Sequence, residues 1–147
     1  MMQHVHVTAE INKSLSEVFT AVADHRRFLT GGGLVCHLVK EGTPNKNGLG
    51  AIRTVRTKKY TLTEEINEFI ENKSFDYQII DIKPQAPVVH HNGWLEFTAI
   101  DKNKTKVDWQ SHFTFTTPII GHFIGWLTKK QLEKIFLSRL NRLNQND

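Results

Sequence analysis

Hydrophobic residues alternate from His4 to Ile11, with Val5, Val7, Ala9 and Ile11 on one face, which predicts a first strand. Ser14, with Glu17 three residues on, makes a capping box. Leu15, Val18, Phe19 and Val22 then recur at helical spacing, so a short amphipathic helix follows and ends near Asp24. HRRFL reads as a further helical turn or two, stopped by Gly31-Gly32-Gly33. Leu34 to Lys40 is a second strand, and EGTPNKNGLG is a turn-rich loop by composition. Four strands follow with little between them, over 50–57, 60–70, 74–83 and 87–100, with KPQAP separating the last two. DKNK, from Asp101, turns into a final strand, Thr105 to Thr117. Pro118 opens a helix of about 25 residues, on which Ile120, Ile124, Leu127 and Ile135 mark one broad apolar face.

Strands joined by short turns are antiparallel. Seven of them in one sheet do not stay flat, and the concave face needs a cover. The C-terminal helix is the element large enough to supply it. A curved sheet and a straight helix do not fit flush, so the pattern predicts an α+β fold with a cavity between them. No repeat, low-complexity tract or linker suggests a second domain, so residues 1–147 read as a single domain.

Composition narrows the class. With 39% hydrophobic and 23% charged residues the chain is that of a globular protein. Its longest apolar run, PIIGHFIGWL, is about half of what a membrane-spanning helix needs, and the N-terminus lacks the form of a signal peptide. A cytoplasmic protein is expected. The single Cys36 cannot form an internal disulfide and reads as a small buried hydrophobe. The net charge of +4 is mild. Lys129, Lys130, Lys134, Arg139 and Arg142 gather late, where they complement a helix dipole rather than bind nucleic acid.

Several constellations carry little chemistry. Gly31-Gly32-Gly33 could cradle a phosphate, but no lysine-serine or dinucleotide pattern follows, so a flexible connection is expected. His4 and His6 share a strand face but lack a carboxylate or cysteine at ligand spacing. No nucleophile with a supporting base can be identified, and no metal or cofactor is called for.

In order, AEINKSLSEVFTAVAD, GLGAIRTV, TEEINEF, FDYQII, HHNGWLEF and TKVDWQSHFTF resemble the START-like (SRPBCC) superfamily. This group includes polyketide cyclase/dehydrase-like proteins, birch-pollen-allergen relatives, abscisic acid receptors and lipid-transfer START domains. The resemblance covers nearly the whole chain. It implies the helix-grip fold: a seven-stranded curved antiparallel sheet, two short helices, and a long C-terminal helix over a cavity. Lys13-Ser14 stands where the family usually has a proline before its first helix, and His91 where it often has a tyrosine.

One hairpin raises a sharper question. If Lys58-Lys59 is a two-residue turn, Val55 faces Leu62, Arg53 faces Glu64 and Ala51 faces Ile66 on one side of the sheet. The apolar neighbours make that side the interior. Two ions in a dry core would cost several kcal/mol each in desolvation, so a partly hydrated cavity is the natural setting. In abscisic acid receptors the matching arginine and glutamate occupy the same two strands, which points the same way. The same alternation turns Tyr77, His91, Trp109, Ser111 and Phe113 inward and leaves Trp94 outside. An apolar and aromatic surface with a few polar groups is the composition of a small-molecule site, and also that of an ordinary core.

Three functions fit these residues. The first is binding of a small hydrophobic molecule or lipid, with Arg53 anchoring a carboxylate or hydroxyl, Glu64 orienting it and IIGHFIGWL forming part of a lid. The second is a cyclase or dehydratase using Glu64 and His91 as its acid–base pair. The third is a protein-interaction module, which calls for an exposed apolar patch, for example around Trp94 and Trp126.

Overall fold

The computed structural model describes residues 2–145. The order is β1 (Met2–Ile11), α1 (Leu15–Ala23), α2 (His25–Leu29), β2 (Val35–Lys40), β3 (Ile52–Arg56), β4 (Thr61–Ile70), β5 (Ser74–Lys83), β6 (Val88–Asp101), β7 (Lys104–Phe115) and α3 (Gly121–Asn141), ending in a 3-10 turn, Arg142–Asn144. The strands form one seven-stranded antiparallel sheet in the order β1-β7-β6-β5-β4-β3-β2. β1 alternates strictly, burying Gln3, Val5, Val7, Ala9 and Ile11. Lys58-Lys59 is a two-residue turn, closed by the Thr57 N–H donating to the Tyr60 carbonyl, and it sets Arg53 opposite Glu64.

α1 starts where its cap predicts. Ser14 Oγ accepts from the Glu17 N–H, and the Glu17 carboxylate accepts from the Ser14 N–H, each at 3.3 Å. The helix buries Val18, Phe19, Val22 and Ala23. Phe19 packs against Phe69, Phe75 and Phe97 with ring centroids 5.0–6.3 Å apart, which closes one end of the sheet with aromatic surface. Each such buried side chain stabilises the fold by about 1.5–3 kcal/mol.

α3 lies over β1 and β7 and begins three residues after Pro118. Its packing face differs from the expected one. Gly121, Gly125, Phe136, Arg139 and Leu140 are buried, whereas Ile120, Leu127 and Ile135 are exposed. Two contacts set this rotation. Phe136 stacks flat on Trp109 at 3.9 Å. The glycines allow close approach: a Cβ at Gly125 would sit 3.0 Å from Gln3, and one at Gly121 would sit 3.2 Å from the Phe115 carbonyl.

The triple glycine is a clasped turn rather than a loose connection. Gly31, Gly32 and Gly33 all have positive φ, a conformation glycine adopts without steric cost, and Gly31 pairs with Leu34. Arg142 donates to the carbonyls of Arg27, Phe28 and Thr30, at 2.8–3.0 Å. These are the open carbonyls at the end of α2, so the C-terminus of the chain caps an early helix. Among the described residues, no helix is long and apolar enough to cross a membrane.

Candidate functional site

Each central strand changes character along its inner face. β4 runs from buried Ile66 through Glu64 to half-buried Leu62. β5 runs from Phe75 through Tyr77 to half-buried Ile79. β7 runs from Val107 and Trp109 through Ser111 and Phe113 to half-buried Phe115. A polar belt thus crosses the concave face between an apolar end closed by α1 and an apolar end that stays partly open.

Arg53 and Glu64 form the centre of the belt and are only 3% and 5% exposed. Arg53 Nε and Nη2 both donate to Glu64 Oε1, at 2.8 and 2.7 Å; neither bond uses Oε2. Arg53 Nη1 donates to His25 Nδ1 at 2.9 Å, and His25 Nε2 reaches the Asn47 carbonyl at 2.8 Å. This assigns His25 as the neutral tautomer with its proton on Nε2, since Nδ1 is an acceptor. Burial and the neighbouring Arg53 charge push its pKa down to about 3.

The guanidinium also lies over the Tyr77 ring, its Cζ 4.7 Å from the centroid. Burial and the Glu64 charge push the Tyr77 hydroxyl far above its ordinary pKa, so it stays protonated. Trp109 Nε1 donates to that hydroxyl at 2.9 Å. The ring fits because Gly93 lies beneath it: a Cβ there would overlap the Tyr77 ring and hydroxyl.

His90 completes the belt. It stacks on Tyr77 at 5.6 Å, accepts from the Ile79 N–H at Nδ1, and donates from Nε2 to Ser111 Oγ at 3.0 Å. Burial, with nearby His91 and Arg53, pushes its pKa down to about 4. The belt carries one cation, one anion and two neutral imidazoles, and is neutral overall.

The structure brings together Arg53, Glu64, Tyr77, Trp109, Ser111 and buried Phe113 as the alternation requires. His91 is different. A register shift between His90 and Asn92 turns His90 inward and leaves His91 exposed, bonded to Thr114 at 2.8 Å. Strict alternation carried through that bulge selects the wrong histidine of the pair. No local pattern in the sequence marks His25, whose role comes from packing α2 against β3, between the Asn47 carbonyl and Arg53.

The interior is therefore bonded to itself more tightly than an open cavity requires. Two concavities among the described residues lie elsewhere. One, of about 1150 Å³, runs between α2, β2 and the C-terminal turn and is lined by Asp24, Arg27, Thr30, His37, Glu41 and Arg142, among others. The other, of about 350 Å³, lies on the outer sheet face around Asp76, Asn92 and Trp94. His4 and His6 are on that outer face, bonded to Gln110 and Asp108, and no metal-binding group of histidine, cysteine or carboxylate occurs among the described residues.

Residues 2–146 match the family described as polyketide cyclase / dehydrase and lipid transport. Among curated proteins, none matches the chain by sequence. Solved structures share the fold at low identity. The Zhui aromatase/cyclase from Streptomyces sp. R1128 is 15% identical, with 99% of this chain and 93% of that one covered and a TM-score of 0.78. A START superfamily protein from Mycobacterium smegmatis is 12% identical, covering 95% and 98%, with a TM-score of 0.72. Norcoclaurine synthase from Thalictrum flavum, solved with dopamine and hydroxybenzaldehyde, is 13% identical, covering 97% and 86%, with a TM-score of 0.67.

Proposed function

The chain belongs to the polyketide cyclase / dehydrase and lipid transport family, and on that premise we propose that it binds a small, largely apolar molecule or lipid carrying one polar group. The apolar body lies at the partly open end of the inner face, against Leu38, Leu62, Ile79, Val88 and Phe115, all half-buried. The polar group meets Arg53 and Glu64. One observation carries this reading: both bonds from Arg53 fall on a single carboxylate oxygen of Glu64. Oε2 is left as an acceptor, and Arg53 keeps N–H groups beyond the three it uses. A hydroxyl can donate to the first and accept from the second.

Charge decides between the two head groups considered from sequence. Glu64 already neutralises Arg53. A ligand carboxylate would leave a net negative charge in a buried site, which costs several kcal/mol. A neutral hydroxyl or carbonyl avoids that cost. The acid–base alternative loses its pairing, because His91 and Glu64 lie on opposite faces of the sheet. A cytoplasmic setting belongs to the same proposal and suits Cys36, a buried free thiol whose pKa burial raises to about 11.

The test is displacement of an apolar fluorescent dye from the full chain by long-chain alcohols and by alkanes of matching length. Wild type is expected to prefer the alcohol by about tenfold. Arg53→Met/Glu64→Leu, which removes both ions together, is expected to bind both equally. Failure of wild type to take up dye or alcohol, or an unchanged preference in the double variant, would reject the proposal.

A further inference from the structure

We propose that the N-terminal end of α3 docks on anionic lipid bilayers. The first two turns of this helix, 121–127, are apolar on both sides except at exposed His122. Gly121 and Gly125 pack inward on Phe115 and Gln3. Ile120, Phe123 and Leu127 follow one another at spacings of three and four on the opposite side, with Trp126 beside them, and all four are exposed. Phe123 is 61% exposed. A surface helix normally turns polar residues to water, so an apolar outer stripe marks a second contact.

Ile119 strengthens the case. It stands two residues before the helix, 96% exposed, with φ at +68°. A β-branched residue in the left-handed region is strained, and no burial within the chain offsets that strain. Here the strain aims a large aliphatic side chain into solvent.

Charge selects the occupant. From Trp109 to Leu132 the chain carries no carboxylate side chain. Past the apolar turns, the same stripe continues into Lys130 and Lys134, with Lys129 adjacent. Glu133 approaches Lys130 at 3.7 Å, and Lys130 lies over the Trp126 ring at 5.9 Å. Three lysines against one glutamate leave the flank positive. Aliphatic and phenyl groups, an amphipathic indole and flanking lysines are the chemistry of a helix lying in the interface of an anionic membrane. The tip also adjoins the open end of the sheet, since Gly121 rests on Phe115 and the Thr116 N–H donates to the Pro87 carbonyl.

The full chain is tested by flotation with phosphatidylcholine vesicles, with and without phosphatidylglycerol. Binding is expected to the anionic vesicles, to weaken with salt, and to move the Trp126 emission to the blue in a Trp94→Phe background. Phe123→Ser, at an exposed site, is expected to weaken partitioning by about tenfold or more. Lys130→Gln is expected to weaken it about fivefold. Absence of flotation, equal binding to both kinds of vesicle, or binding unchanged by Phe123→Ser would overturn the proposal. So would a wild-type dimer that Phe123→Ser splits, which would assign the stripe to a second copy. The docking does not rest on the ligand reading: Arg53→Met/Glu64→Leu floats as wild type, and Phe123→Ser keeps its dye uptake.

Discussion

Acid should destabilise this protein well above the pH at which carboxylates protonate. His25 and His90 are buried, neutral and committed as acceptors, His25 to the Arg53 guanidinium and His90 to the Ile79 N–H. Protonating either forfeits the accepted bond. For His25 it also sets a second positive charge 2.9 Å from the first. The folded pKa values are pushed down to about 3 and about 4, both below the ordinary histidine value of 6.5. A histidine with a depressed folded pKa contributes stability that is present above the unfolded pKa. That stability is lost as pH falls towards the folded value, because the unfolded chain takes up the proton first.

Between pH 7 and pH 5 each imidazole withdraws about 1.9 kcal/mol, and the two together about 4 kcal/mol. A domain of this size has about 5–15 kcal/mol in all, so the urea midpoint should fall by a large fraction. The assay is urea unfolding followed by tryptophan fluorescence at half-unit steps from pH 7 to pH 5. The slope with pH should approach the uptake of two protons on unfolding. In His25→Gln it should approach one, whatever that substitution does to stability at pH 7. A midpoint that does not move over this interval would refute the neutral buried state of both rings. An unchanged slope in His25→Gln would refute the assignment of His25.

Two further substitutions probe the belt. Arg53→Met leaves Glu64 buried without its counter-charge and should cost about 3–5 kcal/mol by urea unfolding, whereas adding Glu64→Leu should recover most of that loss. Gly93→Ala drives a methyl group into the Tyr77 ring. It should cost about 2 kcal/mol in thermal unfolding and alter the near-ultraviolet dichroism, since Trp109 bonds to the displaced hydroxyl.

The fold was legible because alternation is a local signal and the turns are short. The Ser14 cap follows from spacing, and the pairing of Arg53 with Glu64 follows from it once Lys58-Lys59 is a two-residue turn, as the structure has it. Legibility fails where one residue is added or where two surfaces compete. The bulge at His90–Asn92 breaks the period of two, so alternation carried through it points His91 inward where the fold buries His90. On α3 both faces are apolar, and periodicity cannot say which one packs; the Trp109–Phe136 stack and two glycines decide. His25 and the clasp of Arg142 on α2 join segments far apart in sequence, and no window of neighbouring residues contains both partners.

The self-bonded belt has a consequence for selectivity. Among the described residues, no fully buried side-chain nitrogen or oxygen lacks a partner. On the proposed reading no unmet hydrogen bond holds the inner face open, and an apolar ligand would gain area at the rim without engaging the ions. A purely aliphatic chain that reached further would cover Glu64 Oε2 without donating to it, leaving a charged oxygen desolvated at a cost above the roughly 1–3 kcal/mol of a neutral group. A ligand with a hydroxyl at the right depth avoids that penalty. Discrimination on this scheme comes less from attraction to the correct head group than from the cost imposed on molecules that lack one, the stronger of the two ways a buried polar site rejects a close analogue. The same scheme would fix depth, keeping the apolar body of the proposed ligand at the half-buried rim of Leu62, Val88 and Phe115, beside the exposed end of α3.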